Sequence, residues 1–246
     1  MAPISSLSNG SFGPKLALST CILFSSLVLL FLSTTEARFL YAGCNNKVDV
    51  GLAYVHLDIL ESNQTIKELN MPGIRGDATM ISDTGWCLKS FALYAKHDGT
   101  LFNYGTAVGK CFPFFDIVVI TPLSGISYTD LTTSIGVDLG EMGKIKSKET
   151  FHAIAPYVGV EVVIGISSKW RLCGTAQYAW SHSKTKIKEL LHSKSHSKGP
   201  IYALLLEYDL YACCSINLGA AYNASLSEEK HGIRGRGAKV GIAYWF

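Results

Sequence analysis

The chain has 246 residues, of which 48% are hydrophobic and 17% charged, with a formal net charge of +3. A charged fraction below the usual ~25%, with a mean hydropathy of +0.23, excludes a disordered chain. So small a net charge gives no ground for nucleic-acid binding. Only one long apolar run exists, which excludes a bundle of membrane helices.

That run comes first. Lys15 precedes an uncharged stretch from Leu16 to Thr35, and Thr35-Glu36-Ala37 follows with small residues at the positions a signal peptidase reads. The pattern predicts an export signal over residues 1–37, cleaved after Ala37, and a mature domain over 38–246. A retained anchor helix is the other reading, since about 20 residues span a bilayer. Leu40-Tyr41-Ala42-Gly43-Cys44 also has the Ala-Gly-Cys ending of a lipid-attachment motif. Six cysteines remain after the signal: Cys44, Cys87, Cys111, Cys173, Cys213 and Cys214. An exported chain permits disulfides among them. Free or intermolecular roles suit some of them better, because the vicinal Cys213-Cys214 pair would point its sulfurs to opposite faces of a strand. No Cys-x-x-Cys or zinc-like spacing occurs, and no cofactor is implied.

Beyond residue 45 the hydrophobic period is two. Val48 to Ile59 reads as a strand, and Ser62 to Asp83 as a loop broken by Met71-Pro72-Gly73 and Gly76-Asp77. Trp86–Ala95, Leu101–Phe112 and Phe114–Thr121 read as strands, with Phe102, Tyr104, Thr106 and Val108 as an outer stripe and Pro113 and Pro122 marking ends. In Leu131–Glu141 the set Leu131, Thr133, Ile135, Val137, Leu139 opposes Asp138 and its small neighbours. Ile154–Ile164, Trp170–Ser181, Ile201–Leu210, Ile216–Tyr222 and Ala238–Phe246 repeat the alternation. Ten strands result, or eight if the weaker ones fail.

Which face is apolar decides the environment. One face of these strands carries Leu, Val, Ile, Tyr, Trp and Phe. The other carries Gly, Ala, Ser, Thr, Asn and Gln with an occasional charge. A soluble barrel would coat its exterior with Lys, Glu and Asp. Here the apolar face fits lipid and the small polar face fits a narrow interior, with aromatics such as Trp170, Trp180, Tyr202 and Tyr208 near strand ends. Backbone groups in hydrocarbon must all be paired, so the sheet must close. The expectation is an all-β, closed antiparallel up-and-down transmembrane barrel. Asp138, Glu161, Arg171, Glu207, Asp209 and Lys239 would then face the lumen, either lining a pore or pairing as a polar plug in an interior nearly filled by side chains.

The ending adds a resemblance. Val240, Ile242, Tyr244 and Phe246 alternate up to a final Phe. This resembles the C-terminal assembly signal of Gram-negative outer-membrane β-barrel proteins, and the alternation extends the likeness over residues 48–246. The resemblance implies a place in a bacterial outer membrane, contact with its lipid, and recognition by the barrel-assembly machinery. The cysteines resemble those of chlamydial envelope proteins, which cross-link through disulfides.

Lys184, Lys186, Lys188, Lys194 and Lys198, with His182, His192 and His196, predict a basic surface loop between two strong strands. It is either a contact for polyanions, such as lipopolysaccharide phosphates or a host surface, or a solvated loop. Residues 143–149 and 227–236 read as further loops. A structural or surface-interaction role follows, with a narrow pore as a variant. Two rival readings remain. One is a barrel-embedded lipid-modifying or proteolytic enzyme using His56, His97 or His152 with Asp58, Asp98 or Glu161, although no Ser is singled out as nucleophile. The other is a soluble exported ligand-binding barrel.

Overall fold

The structure is a computed structural model and describes residues 46–114, 117–138, 144–187 and 191–246, apart from the side chains of 135–138, 144–148, 186–187 and 191–192. The predicted export signal over residues 1–37 and Cys44 lie outside these residues. The strands are β1 (Asn46–Glu61), β2 (Gln64–Ile81), β3 (Trp86–Lys96), β4 (Gly99–Lys110), β5 (Phe112–Phe114), β6 (Val118–Asp138), β7 (Lys144–Gly165), β8 (Trp170–Ile187), β9 (Leu191–Tyr211), β10 (Cys214–Leu226) and β11 (Gly232–Trp245). Chain neighbours pair antiparallel except β4 and β5; β1 pairs with β11, and β4 pairs with β6. The sheet is therefore a closed ten-stranded barrel, with the short β5 adding only to one end of β6.

The register fixes its shape. Paired residues lead from Gly51 through Arg75, Leu93, Asn103 and Thr129 to Ala153. The other way they lead through Gly241, Asn217, Glu207 and Arg171 to Gly165. The two paths meet β7 twelve residues apart. That stagger over ten strands corresponds to a strand tilt of about 40°, given ~3.3 Å per residue and ~4.8 Å between strands. Asn46 and Phe246 exchange backbone hydrogen bonds of 3.0 and 2.9 Å at one end, here called the terminal rim; the opposite end is the distal rim.

Through the middle of every long strand even-numbered positions face outward and odd-numbered ones inward; the rule lapses towards the distal ends, as at Leu60 past the β1 bulge and at Ala224, both buried. Val48, Val50, Leu52, Tyr54, Leu88, Tyr104, Val108, Leu204, Leu218, Val240 and Ile242 are all exposed. This apolar exterior removes the reading of a soluble barrel. Trp86, Trp170, Tyr211, Tyr244 and Phe246 mark the terminal side of the belt. Tyr54, Tyr94, Phe102, Tyr178, Trp180 and Tyr202 mark the distal side. From Trp170 to Trp180 the tilted strand covers about 25 Å along the axis, the height of a lipid-facing band.

Three expectations change. The segment 62–83 is strand β2 rather than a loop. The predicted strands 114–121 and 131–141 fall mostly within a single strand, β6. The basic segment around 182–198 is the continuation of β8 and β9, whose pairing runs up to Ile187↔Leu191, and residues 144–149 likewise begin β7. The first two errors offset each other, so the count of ten stands while the partition differs. In addition, Leu131 and Thr133 point inward, at 2% and 4% exposure. They join or adjoin an apolar lumen layer of Val55, Leu57, Leu69, Met71, Ala95 and Leu101.

Candidate functional site

The lumen is built from the odd positions. In its terminal half five bases meet five acids. Lys47 pairs with Glu207, and Arg171 reaches both Glu207 (3.4 Å) and Asp209 (Nη1 at 2.8 Å). Lys239 lies 2.7 Å from both Asp49 and Asp77, Arg75 clasps Asp77 at 2.7 Å, and Lys89 pairs with Glu161. Asn217 Nδ2 donates to Asp49 Oδ2 at 2.8 Å. Trp245 adds a floor: Lys47 and Arg171 sit 5.0 and 4.8 Å from its ring centroid, and its Nε1 donates to Ser215 Oγ at 3.2 Å. Charges withdrawn from water are tolerated only when paired and hydrogen-bonded. Two of the pairs, Lys47–Glu207 and Lys89–Glu161, join strands three apart and reach across the interior, while the others link positions on the same, adjacent or next-but-one strands.

Five of the six predicted lumen charges therefore belong to this network: Glu161, Arg171, Glu207, Asp209 and Lys239. The side chain of Asp138 lies outside those described. Sequence reasoning missed Lys47, Asp49, Arg75, Asp77 and Lys89. Lys47 and Asp49 carried a usable signal, alternating with the outward Val48 and Val50. Arg75 and Asp77 stay hidden because Pro72, Gly73 and Gly76 give β2 the composition of a loop.

Bulk and space alternate around the interior. A Cβ on Gly125 would meet the Tyr157 ring at 2.6 Å, and one on Gly105 would meet Phe91 at 2.5 Å. These glycines make room for aromatic rings entering from neighbouring strands. Beside the network, Cys87, Cys111 and Cys173 lie with Val119 and Val163 in an apolar patch, and Thr121 Oγ1 donates to Cys111 Sγ at 3.5 Å. The five described cysteines, these three with Cys213 and Cys214, are free thiols. The whole lumen encloses a cavity of about 710 Å³. Towards the distal rim one side of it is apolar (Leu57, Leu101, Leu131, Phe151) and the opposite side hydroxylated (Ser181, Ser183, Ser197, Ser225).

The histidines weighed as catalytic bases are not in that cavity. His56, on an outward position of β1, bonds Asn70 at 2.8 Å and Asp58 at 3.0 Å. His152, outward on β7, lies 3.0 Å from Asp130 and 3.2 Å from Tyr128 Oη. His97 sits in the β3–β4 turn, 3.7 Å from Asp98, and Asp98 accepts the Asn70 amide at 2.9 Å. Glu161 is engaged by Lys89 in the interior, apart from all three.

The basic positions occupy the outer face of the β8–β9 hairpin. Three successive outward rungs are Trp180↔Lys198, His182↔His196 and Lys184↔Lys194. All six side chains are exposed, and the two imidazoles stack edge-on at 4.6 Å. The rungs between them, Ser181↔Ser197 and Ser183↔Ser195, face the lumen. The side chains of Lys186, Lys188 and His192 lie outside those described.

No family model matches the chain, and no curated protein matches it. Solved structures do. The outer-membrane protease OmpT of Escherichia coli aligns over 86% of this chain and 100% of its own, with a TM-score of 0.56 and 10% identity. The translocator domain of the autotransporter NalP of Neisseria meningitidis aligns over 97% and 100%, with a TM-score of 0.51 and 10% identity. The fold is that of outer-membrane β-barrels.

Proposed function

We propose that this chain is an outer-membrane barrel of the closed type, with its terminal rim in the periplasm and its distal hairpins at the cell surface. Its role is structural and surface-interacting, not catalytic. The observation that carries the reading is the charge-balanced network across the terminal half of the lumen. Each ammonium and guanidinium there has a carboxylate, so the cavity passes among charges already held by one another, and on this reading they obstruct it rather than serve a permeating ion. The proposed orientation follows from an even strand number, which leaves both ends of the barrel chain on one rim, and from strand extensions on the other. Contact with polyanions or a host surface belongs to those extensions. The outward series Val240, Ile242, Tyr244, Phe246 supports recognition by the barrel-assembly machinery. Cys213 and Cys214, half-buried at the terminal rim, are where cross-linking of the chlamydial envelope type would take place.

Planar-bilayer recording of the refolded barrel tests this reading. The expected trace has no sustained single-channel steps. A stable ohmic conductance would overturn the closed reading in favour of a pore. Fractionation of cells, with the barrel recovered outside the outer-membrane fraction, would overturn its placement.

A further inference from the structure

We infer that the outer face of the β8–β9 hairpin is a binding site for the phosphate headgroups of the barrel's own membrane. The inference rests on the proposed orientation, with the distal rim at the outer leaflet, and names the polyanion. Three features carry it.

The first is the register. Lys184 and Lys194 stand directly opposite each other, and like charges at such a pair are destabilising. Among the described residues, none of Lys184, Lys194 and Lys198 forms a salt bridge. The fold thus holds a concentration of positive charge that an external anion would relieve.

The second is the face. Lys184, Lys194, Lys198, His182 and His196 all lie on the side that, further down the same strands, carries Tyr178, Tyr202, Leu204 and Leu172 against lipid. The lumen side of the same ribbon is lined by serines. A ligand entering the barrel mouth meets hydroxyls, whereas the lysines look sideways over the bilayer.

The third is the height. Lys198 shares a rung with Trp180, the uppermost aromatic of this hairpin's belt, and Lys184 and Lys194 follow two rungs above. Aromatic girdles sit at headgroup level, so the ammonium groups start where lipid phosphates lie. Lysine suits such a partner as a mobile point charge, and each basic residue near an anionic surface contributes about 1 kcal/mol of attraction.

The test uses the barrel refolded into phosphatidylcholine vesicles, with and without a minority of phosphatidate. The midpoint for loss of heat-modifiable mobility is read for the native chain and for the K184S/K194S/K198S variant. Phosphatidate is expected to raise the native midpoint by roughly 5–10 °C and to leave the variant's unchanged, the two chains being alike in phosphatidylcholine alone. No rise in the native chain would overturn the inference, as would an equal rise in both. An equal rise from inorganic phosphate added to phosphatidylcholine vesicles would also overturn it, by assigning the site to a soluble ion. Should the triple variant not fold, the single K194Q is expected to lose about a third of the shift, and an undiminished shift would count against the site. A conducting barrel, or one found outside the outer membrane, would defeat the proposed function but leave the lipid response measurable, so the two failures are distinguishable.

Discussion

Glu207 is 3% exposed and is shared by Lys47 and Arg171. Neutralising it would leave Lys47 without its carboxylate and Arg171 with Asp209 alone. Removing one partner of a buried pair costs about 3–5 kcal/mol, much more than the intact pair contributes. Glu207→Gln is therefore expected to lower the unfolding midpoint in detergent strongly, while Glu207→Gln combined with Lys47→Met recovers part of the loss. Equal stability of the single variant and the native barrel would show that the network is solvated and loosely held. At this scale the sequence was informative where a charge interrupted a clean alternation: Glu207 and Asp209 stand between Leu206, Tyr208 and Leu210, and their inward direction could be read directly. Their partners could not, because pairing across a barrel depends on stagger, and stagger is set by turns and closure.

Among the elements, the membrane-spanning parts of β7 to β11 were legible because one face is apolar there. Leu218 shows what that face requires. It is 61% exposed and flanked on its rung by Leu206 and Val240. Leu218→Arg is expected to cost about 2–4 kcal/mol in a bilayer, as a charge on the lipid face does near the midplane. Equilibrium unfolding from vesicles measures it, and a cost near zero would deny that this belt meets hydrocarbon. The two misread elements share a cause. Pro72 in β2 falls just past the last β2–β3 pair, Gly73↔Ala95, and Pro122 in β6 falls between the β5 pairing at Ile120 and the β4 pairing at Leu123. Each lies where a neighbouring ladder stops, and edge-like positions of that kind accept proline. A local reading takes them for breaks in the chain. Gly73 looked like a turn residue as well, yet it is required by close approach: a Cβ there would lie 2.2 Å from the Tyr94 carbonyl oxygen. The basic segment was misread for the opposite reason. Its lysines and serines suggested a solvated loop, while their strict alternation was that of a strand leaving the membrane.

For the molecule as a whole, the closed sheet and its exterior followed from one constraint visible in the sequence, that an apolar strand face in lipid permits no open edge. The apolar layer inside the distal half did not follow, since period two identifies two faces without saying which of them a given leucine shares. Assembly tests the remaining sequence signal. Phe246→Ala keeps the backbone pairing with Asn46 and removes the ring stacked 6.2 Å from Tyr244. It is expected to reduce recovery in the outer-membrane fraction severalfold while the purified chain still refolds in detergent; unchanged recovery would show that this ring is not what the machinery reads.

The strands are also unequal in length. β3 and β4 span 11 and 12 residues, little more than a bilayer needs, whereas β6, β7 and β9 span 21, 22 and 21. Part of the surplus lies at the distal rim: β6 continues five residues past its last pair with β4, Gly99↔Thr133, which along the tilted strand is roughly 13 Å of added wall. The opening is thus cut obliquely, like a hooded vent. Anything large approaching from the β6–β9 side strikes a wall of paired strands, whereas the β3–β4 hairpin leaves a lower sill closer to the lipid surface.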